Sequence, residues 1–343
     1  MEKDFTHILR VTAILIVSCS LTMDVFGQDR HFSQFYNNRV YHNPAAASLQ
    51  ETDYKIGVNY RKQWSWLKNA FRNQSFSGEA GFLPDKKHFN RLGTGLLVQQ
   101  EQAGTSQLKR FEARGNVAWH QPVTSNDIFS AGIGVGYIQR SIVWDALKWD
   151  SQYNGAGFDP SLDNKENISS NAVSHIDFSL GLFWTHRARK SEWNCGASSY
   201  HYRQDQSLLE ESSSPLQLRH NVLASYTIRT TYFDYVADAK WMRQAGAMEI
   251  QVGGRVHYKL GMDSRYTNFR TSSTAFFGAY YRHADAITPL IGFEFERMVS
   301  LYVSYDITLS PLADVGGRGG ALEFTLLYKG NFSGNRKTLE RQK

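Results

Sequence analysis

Cysteine is scarce, with two in 343 residues, and a chain trimmed of its leader keeps only Cys195, so no internal disulfide staples it. Neither Cys-x-x-Cys nor His-Glu-x-x-His occurs, which removes the common metal-site spacings. Proline numbers only 7, and no Pro/Ser-rich linker divides the chain after Ser48, so a single domain is favoured. Beyond the leader no apolar run is long enough for a membrane helix, and the mean hydropathy of −0.45 is that of a soluble protein. Neither fact excludes a membrane β-barrel, whose strands carry apolar residues only at every second position. The net charge, +6 overall and +7 without the leader's two bases and three acids, is small for this length; it suits anionic lipid head groups rather than nucleic acid.

What the chain does have is a leader and alternation. Lys3 and Arg10 flank the start of an apolar run from Val11 to Val17, and Val25-Phe26-Gly27 supplies a cleavage site before Gln28, so residues 1–27 read as a signal peptide. Cys19, after Ile16-Val17-Ser18, is the competing lipoprotein acylation site. Further on, Ile250, Val252, Gly254, Val256, Tyr258 and Leu260 interleave with Glu249, Gln251, Gly253, Arg255, His257 and Lys259, giving one apolar and one charged face. The same pattern runs through Tyr54 to Tyr60, Phe76 to Phe82, Leu92 to Val98, Phe111 to Trp119, Phe129 to Tyr137 and Ile176 to Trp184. Further candidates are Glu192 to Arg203, Leu216 to Arg229, Tyr232 to Arg243, Thr274 to Arg282, Ile287 to Glu296, Val299 to Thr308 and Gly320 to Lys329. That makes about 14 strands, most of about 9 to 13 residues, the length a tilted strand needs to cross a bilayer.

A soluble β-sandwich alternates too, but its strands are usually only about 5 or 6 residues long. Mid-strand charges at Glu79, Glu112, Arg114, Asp177, Arg255, Glu294 and Glu323 suit an interior lined by paired acids and bases, and aromatics such as Tyr54, Trp184, Tyr258 and Tyr328 crowd strand ends as interfacial girdles do. The expected fold is all-β: a transmembrane antiparallel β-barrel of about 14 strands. It occupies residues 53–329, after a non-strand periplasmic segment, 28–52, and before a basic tail, 330–343. With the mature N-terminus in the periplasm, the outward connections are Lys62 to Ala70, Ser141 to Ala172, Gln204 to Pro215 and Leu309 to Arg318, mostly the long ones. Met262 to Ser273 is long yet faces inward, marking either a functional periplasmic loop or a strand displaced in register.

Chemistry is sparse. Gly132-Ile-Gly-Val-Gly136 falls within a strand rather than before a helix, so it relieves packing inside a barrel rather than cradling phosphate. His175 and Asp177 share a strand face, which with a serine would suggest a membrane hydrolase, yet Ser and His are frequent on polar barrel faces. Trp64-Ser-Trp66 beside Arg61 and Lys62 fits interfacial anchoring, with sugar or anion binding as the rival. No catalytic residue, cofactor or metal site is expected, and hence no enzyme.

Between leader and first strand stands His31-Phe-Ser-Gln-Phe-Tyr-Asn-Asn-Arg-Val-Tyr-His-Asn-Pro-Ala-Ala-Ala-Ser48, neither helical nor alternating. Phe32, Phe35, Tyr36 and Tyr41 would be costly to expose in a flexible tail, so Gln28 to Gln50 is expected to dock at the periplasmic mouth, with Asn43-Pro44 setting a turn. This segment resembles the opening of the PorP/SprF family of outer-membrane proteins of the type IX secretion system. The resemblance continues at Asn59-Tyr-Arg-Lys-Gln-Trp64, Trp149-Asp-Ser-Gln-Tyr153, Gly157-Phe-Asp-Pro160, Ser304-Tyr-Asp-Ile-Thr-Leu-Ser310 and Gly319-Gly-Ala-Leu-Glu-Phe-Thr-Leu-Leu-Tyr328, essentially the whole mature chain. Phe32, Gln34, Tyr36, Asn43, Pro44, Tyr60, Arg61, Gln63 and Trp64 match the family's motifs and are candidates for partner contact or for plugging the barrel.

The resemblance implies a non-enzymatic outer-membrane component of type IX protein secretion or gliding machinery, supporting export or surface attachment of a partner protein. The implied partners are outer-membrane lipid, periplasmic secretion-system lipoproteins, and a secreted surface protein or adhesin with a C-terminal sorting domain; nucleic acid is not among them. The rival function is a general outer-membrane porin or solute channel, which would use the same alternation and charged interior. The tail, with Lys329, Arg336, Lys337, Arg341 and Lys343 against Glu340 alone, would meet acidic periplasmic partners or lie solvated.

Overall fold

Alternation along each strand becomes the two faces of one closed wall. A computed structural model describes residues 29–50, 52–65, 70–84, 90–104, 107–144, 147–165, 171–202, 217–261, 273–311, 313 and 319–332. The leader with Cys19, the tail past 332, and the interiors of several connections, 262–272 among them, lie outside these residues. The strands are β1 (Tyr54–Gln63), β2 (Phe71–Pro84), β3 (Asn90–Ala103), β4 (Leu108–Pro122), β5 (Asp127–Ser141), β6 (Ala172–Arg187) and β7 (Ser191–Tyr200). They continue as β8 (Arg219–Arg229), β9 (Phe233–Gln244), β10 (Ala247–Leu260), β11 (Ser273–Arg282), β12 (Ala286–Phe295), β13 (Val299–Thr308) and β14 (Gly319–Gly330). Each pairs antiparallel with its sequence neighbours, and β1 closes the cylinder on β14 with Asn59 opposite Thr325.

Apolar residues point out along every stave, as with Ile56, Val58, Ile133, Val135, Leu180, Leu182 and Val252, all exposed on the outer surface. In water that surface would be an aggregation hazard; in hydrocarbon it is the stable arrangement. The opposite positions, Glu79, Glu112, Arg114, Asp177, Arg255 and Glu323, are buried in the lumen. Cys195 lies on the outward side of β7. Turns at 123–126, 188–190, 230–232 and 296–298 are short and share the end where β1 starts; connections at 142–171, 201–218 and 309–318 lengthen the other end. Outer-membrane barrels keep short turns on the periplasmic side, so the Tyr54 end faces the periplasm and the long loops face out. β10 and β11 pair in continuous register from Gln251 opposite Arg282 to Leu260 opposite Ser273, so the connection between them belongs to the periplasmic end.

Two strands are shorter than their alternation suggests: β7 ends at Tyr200, not Arg203, and β8 begins at Arg219, not Leu216. A larger difference concerns the N-terminal segment. It does not stop at the periplasmic mouth but runs down the lumen from the outer end, where Asp29 meets Gln244 at the end of β9, to the periplasmic end, where Ser48 meets Glu79 of β2. The wall makes room with glycine. A Cβ on Gly132 would sit 2.5 Å from Ala45, and one on Gly181 would sit 2.1 Å from Asn43 Oδ1. Of the run expected to relieve packing, Gly132 makes room for the segment, while a Cβ on Gly134 would meet Asn116 and Ser179 of the wall.

Replacing Gly132 by Leu should displace the segment at a cost of about 1 to 3 kcal/mol, seen as new protease cleavage within residues 29–50 of the solubilised barrel. Gly115→Leu, on the outward face with nothing within 4 Å of its Cβ, should leave the cleavage pattern unchanged.

Candidate functional site

The site is the lumen segment with the wall positions that hold it. Its only regular structure is local: a single helical turn α1 (Arg39–His42) and a 3-10 turn, Pro44–Ala46. Asn43 opens the 3-10 turn, its Oδ1 accepting from Ala45 N–H at 2.9 Å, while Pro44 occupies the first turn position, where its missing N–H costs nothing. The Asn43 amide donates to the carbonyls of Leu182 (2.9 Å) and Ala197 (3.2 Å) on β6 and β7, tying the turn to the wall.

Charge anchors the outer end. Asp29 N–H donates to Gln244 Oε1 at 2.7 Å, and its carboxylate accepts from Arg110, from Arg219 at 2.6 Å and from His201 at 2.7 Å. Burial pushes Asp29 up, but Arg110, His201 and Arg219 outweigh it and hold the carboxyl well below the usual range. The second nitrogen of His201 lies 3.1 Å from Asp177, whose carboxylate also takes Arg114 at 2.6 Å. Asp177 is thus engaged by Arg114 and His201. Arg30 reaches Glu112 at 3.0 Å, continuing the network.

A second hub lies on β13 and β14. Asp306 accepts from Ser33 Oγ (2.7 Å), Thr288 (2.7 Å), Arg282 (2.8 Å) and Arg61 (2.9 Å). Glu323 accepts the backbone N–H groups of Ser33 (2.8 Å) and Gln34 (3.2 Å), and the Gln34 amide donates to Ser304 Oγ at 2.9 Å. The segment's rings make aromatic contacts. Tyr36 stacks on Tyr280 at 5.0 Å, meets Tyr302 edge-on and lies under Arg255, whose guanidinium carbon is 3.6 Å from the ring centre. Phe32 packs edge-on against Tyr41 at 5.2 Å. At the periplasmic end His120 Nε2 lies 2.9 Å from the Ala47 carbonyl.

Of the nine candidate residues, the structure brings together Phe32, Gln34, Tyr36, Asn43, Pro44 and Arg61. Gln63 sits beside Arg61 at 3.4 Å. Tyr60 does not join them: β1 alternates, so the neighbour of inward Arg61 points to lipid. Trp64, just past β1, packs edge-on against Phe71 at 5.1 Å and borders a cavity of about 220 Å³ at the outer rim. Sequence reasoning missed the lumen's apolar belt of Phe183, Leu223, Phe276, Tyr280, Leu290, Tyr302 and Leu327, each buried. A signal existed. At Phe183-Trp184, Val222-Leu223, Phe276-Phe277, Tyr280-Tyr281, Leu290-Ile291 and Leu326-Leu327 both faces of the stave are apolar, which a water-filled lumen would not require. Among the described residues no group of three or more His, Cys, Asp and Glu is placed to hold a metal ion.

Fold and site together define an outer-membrane β-barrel whose lumen is occupied by its own N-terminal segment. Residues 25–328 match the family described as type IX secretion system membrane protein PorP/SprF, and the chain belongs to that family. It is an outer-membrane component of type IX secretion. No curated protein matches the chain. Solved structures of similar fold include the CymD monoaromatic hydrocarbon channel, with TM-score 0.50 and 10% identity over 86% of this chain and 93% of that one. The Ralstonia pickettii toluene transporter TbuX (TM-score 0.49, 10% identity, 86% and 93% covered) and a Pseudomonas aeruginosa FadL homologue (0.46, 10%, 84% and 92%) are also similar. At such identity the likeness to CymD speaks for the barrel and nothing further.

Two outcomes follow from the anchors. Arg61→Ala, which leaves Asp306 and Glu323 short of a buried cation, should lower stability to urea by about 3 to 5 kcal/mol. His42 is fully buried, and its backbone carbonyl accepts from Ser198 Oγ at 2.5 Å and from the Asn221 amide at 3.1 Å. Asn221→Leu, which removes one of these donors, should loosen the segment by about 1 to 3 kcal/mol, read as increased protease cleavage within residues 29–50.

Proposed function

We propose that the protein is a plugged, non-enzymatic scaffold of the type IX machinery, which supports export or surface attachment of a partner surface protein and links the outer membrane to periplasmic components. The observation that supports this most is the filled lumen: segment 29–50 is held by charge at its outer end, by rings at mid-height and by carbonyl contacts at the periplasmic end. A barrel so filled serves as a fixed platform, with its loops and two mouths available to secreted and periplasmic proteins and no reaction of its own. The rival is a passive channel, which CymD's description as a hydrocarbon channel on a similar barrel keeps in view.

Deleting the gene should leave permeability to small solutes close to wild type while one surface protein fails to reach the cell exterior; cross-linking and co-purification should recover periplasmic components with the barrel. Steady single-channel conductance of the intact protein in planar bilayers, together with normal surface display in the deletion strain, would sink the scaffold reading.

A further inference from the structure

The outward wall is not uniformly apolar. Near the outer ends of β1 to β5 the ladder aligns Lys62 with Arg72, Arg72 with Gln102, Gln102 with Lys109 and Lys109 with Ser141. One step toward the membrane centre the outward row reads Tyr60, Gln74, Gln100, Phe111 and Gln139. One step further it reads Val58, Phe76, Val98, Ala113 and Tyr137, which faces hydrocarbon. The patch therefore grades from apolar through carboxamide to cationic across five adjacent staves, and neither polar row contains an acid. Glu101, the neighbouring carboxylate on β3, shares the lumen side with buried Gln99 and pairs across the ladder with buried Asn73. On β11 to β13 the corresponding outward positions are apolar or aromatic, Tyr281, Ile287 and Ile307, so the patch is confined to one side of the barrel.

Lys62 and Arg72 are direct cross-strand partners on the same face. Like charges so placed repel, and neither has an ion pair within the described residues; an external anion relieves the repulsion. The position, outward and just above the apolar rows at the long-loop end, is the level of the outer-leaflet head groups. Periplasmic-side wall positions offer no equivalent: described outward residues there, such as Tyr54, Trp119, Phe129, Trp184, Phe233, Tyr258 and Phe293, are aromatic, and none is Lys or Arg.

We propose that Lys62, Arg72 and Lys109, with Gln74, Gln100 and Gln102, form a docking site for the phosphorylated head group of an outer-leaflet glycolipid. The cations take the phosphates, the carboxamides hydrogen-bond sugar hydroxyls and acyl carbonyls, and the apolar third row lies against the acyl chains. This site is separate from the lumen and does not depend on the scaffold reading.

The test uses the full mature protein in non-ionic detergent, with doubly phosphorylated lipid A as probe and native mass spectrometry or a fluorescent-lipid titration as readout. Each cation near an anionic surface contributes about fivefold, so the Lys62→Gln, Arg72→Gln, Lys109→Gln triple variant should bind on the order of 100-fold more weakly. Arg243→Gln, the charge change of one of these substitutions placed on the far wall, should bind within about twofold of wild type because screening isolates distant charges. Phosphate-free lipid A should bind the wild type as weakly as the triple variant binds the probe. Heat-modified mobility on gels reports folding; if the triple variant does not fold, Lys62→Gln and Lys109→Gln singly should each lose about fivefold. Equal binding by wild type and folded variants, equal binding of the phosphate-free lipid, or complete displacement of lipid A by millimolar inorganic phosphate would each overturn the proposal.

Discussion

Charges turned away from bulk water must find partners, and the interior of this barrel is built around that requirement. An unpaired buried carboxylate or guanidinium costs several kcal/mol, so each charge that alternation directs inward needs a counter-charge or donor within reach. The wall meets the need only partly by itself. Asp306 and Glu323 take donors from Ser33 and Gln34, Arg110 and Arg219 share Asp29, Glu112 takes Arg30, and Glu79 accepts Ser48 N–H. The N-terminal segment thus stands where water would otherwise solvate the wall, and the wall supplies the hydrogen bonds that the segment, almost without regular structure, does not make within itself.

The segment is retained by three different kinds of force along its path. Ion pairs hold Asp29 and Arg30, stacked and edge-on rings hold Tyr36 and Phe35, and glycine hollows at Gly132 and Gly181 receive Ala45 and Asn43. Salt weakens the first more than the others, and crowding of the hollows affects only the third. With the lumen filled, the surfaces that meet other molecules are the two mouths, the loops and the outward wall, including its cationic side.

Much of the barrel was legible before any coordinates. The outward and inward assignments along β10 hold residue by residue, and β13 has the bounds its alternation suggests. Edges were less legible: near Tyr200 and Arg219 the apolar spacing continues after the ladder has stopped, because spacing does not report whether a partner strand is present. Of the site, Phe32, Tyr36 and Arg61 are legible from aromatic density and motif, whereas Tyr60 belongs to the same motif as Arg61 and strand geometry turns it outward. The doubled apolar positions were visible but needed the idea of a packed lumen to be read.

Local periodicity determined the strands, their number and which side of each faces lipid, because side-chain direction in a strand follows from backbone geometry within two residues. The placement of the N-terminal segment could be decided only by the tertiary structure. Its bonds join Ser33 to Glu323 and Asp29 to Arg219, residues 290 and 190 positions apart, so no local pattern encodes them. Closure of the wall brings those groups to one another, and the energy of pairing charges out of water then settles where the segment lies.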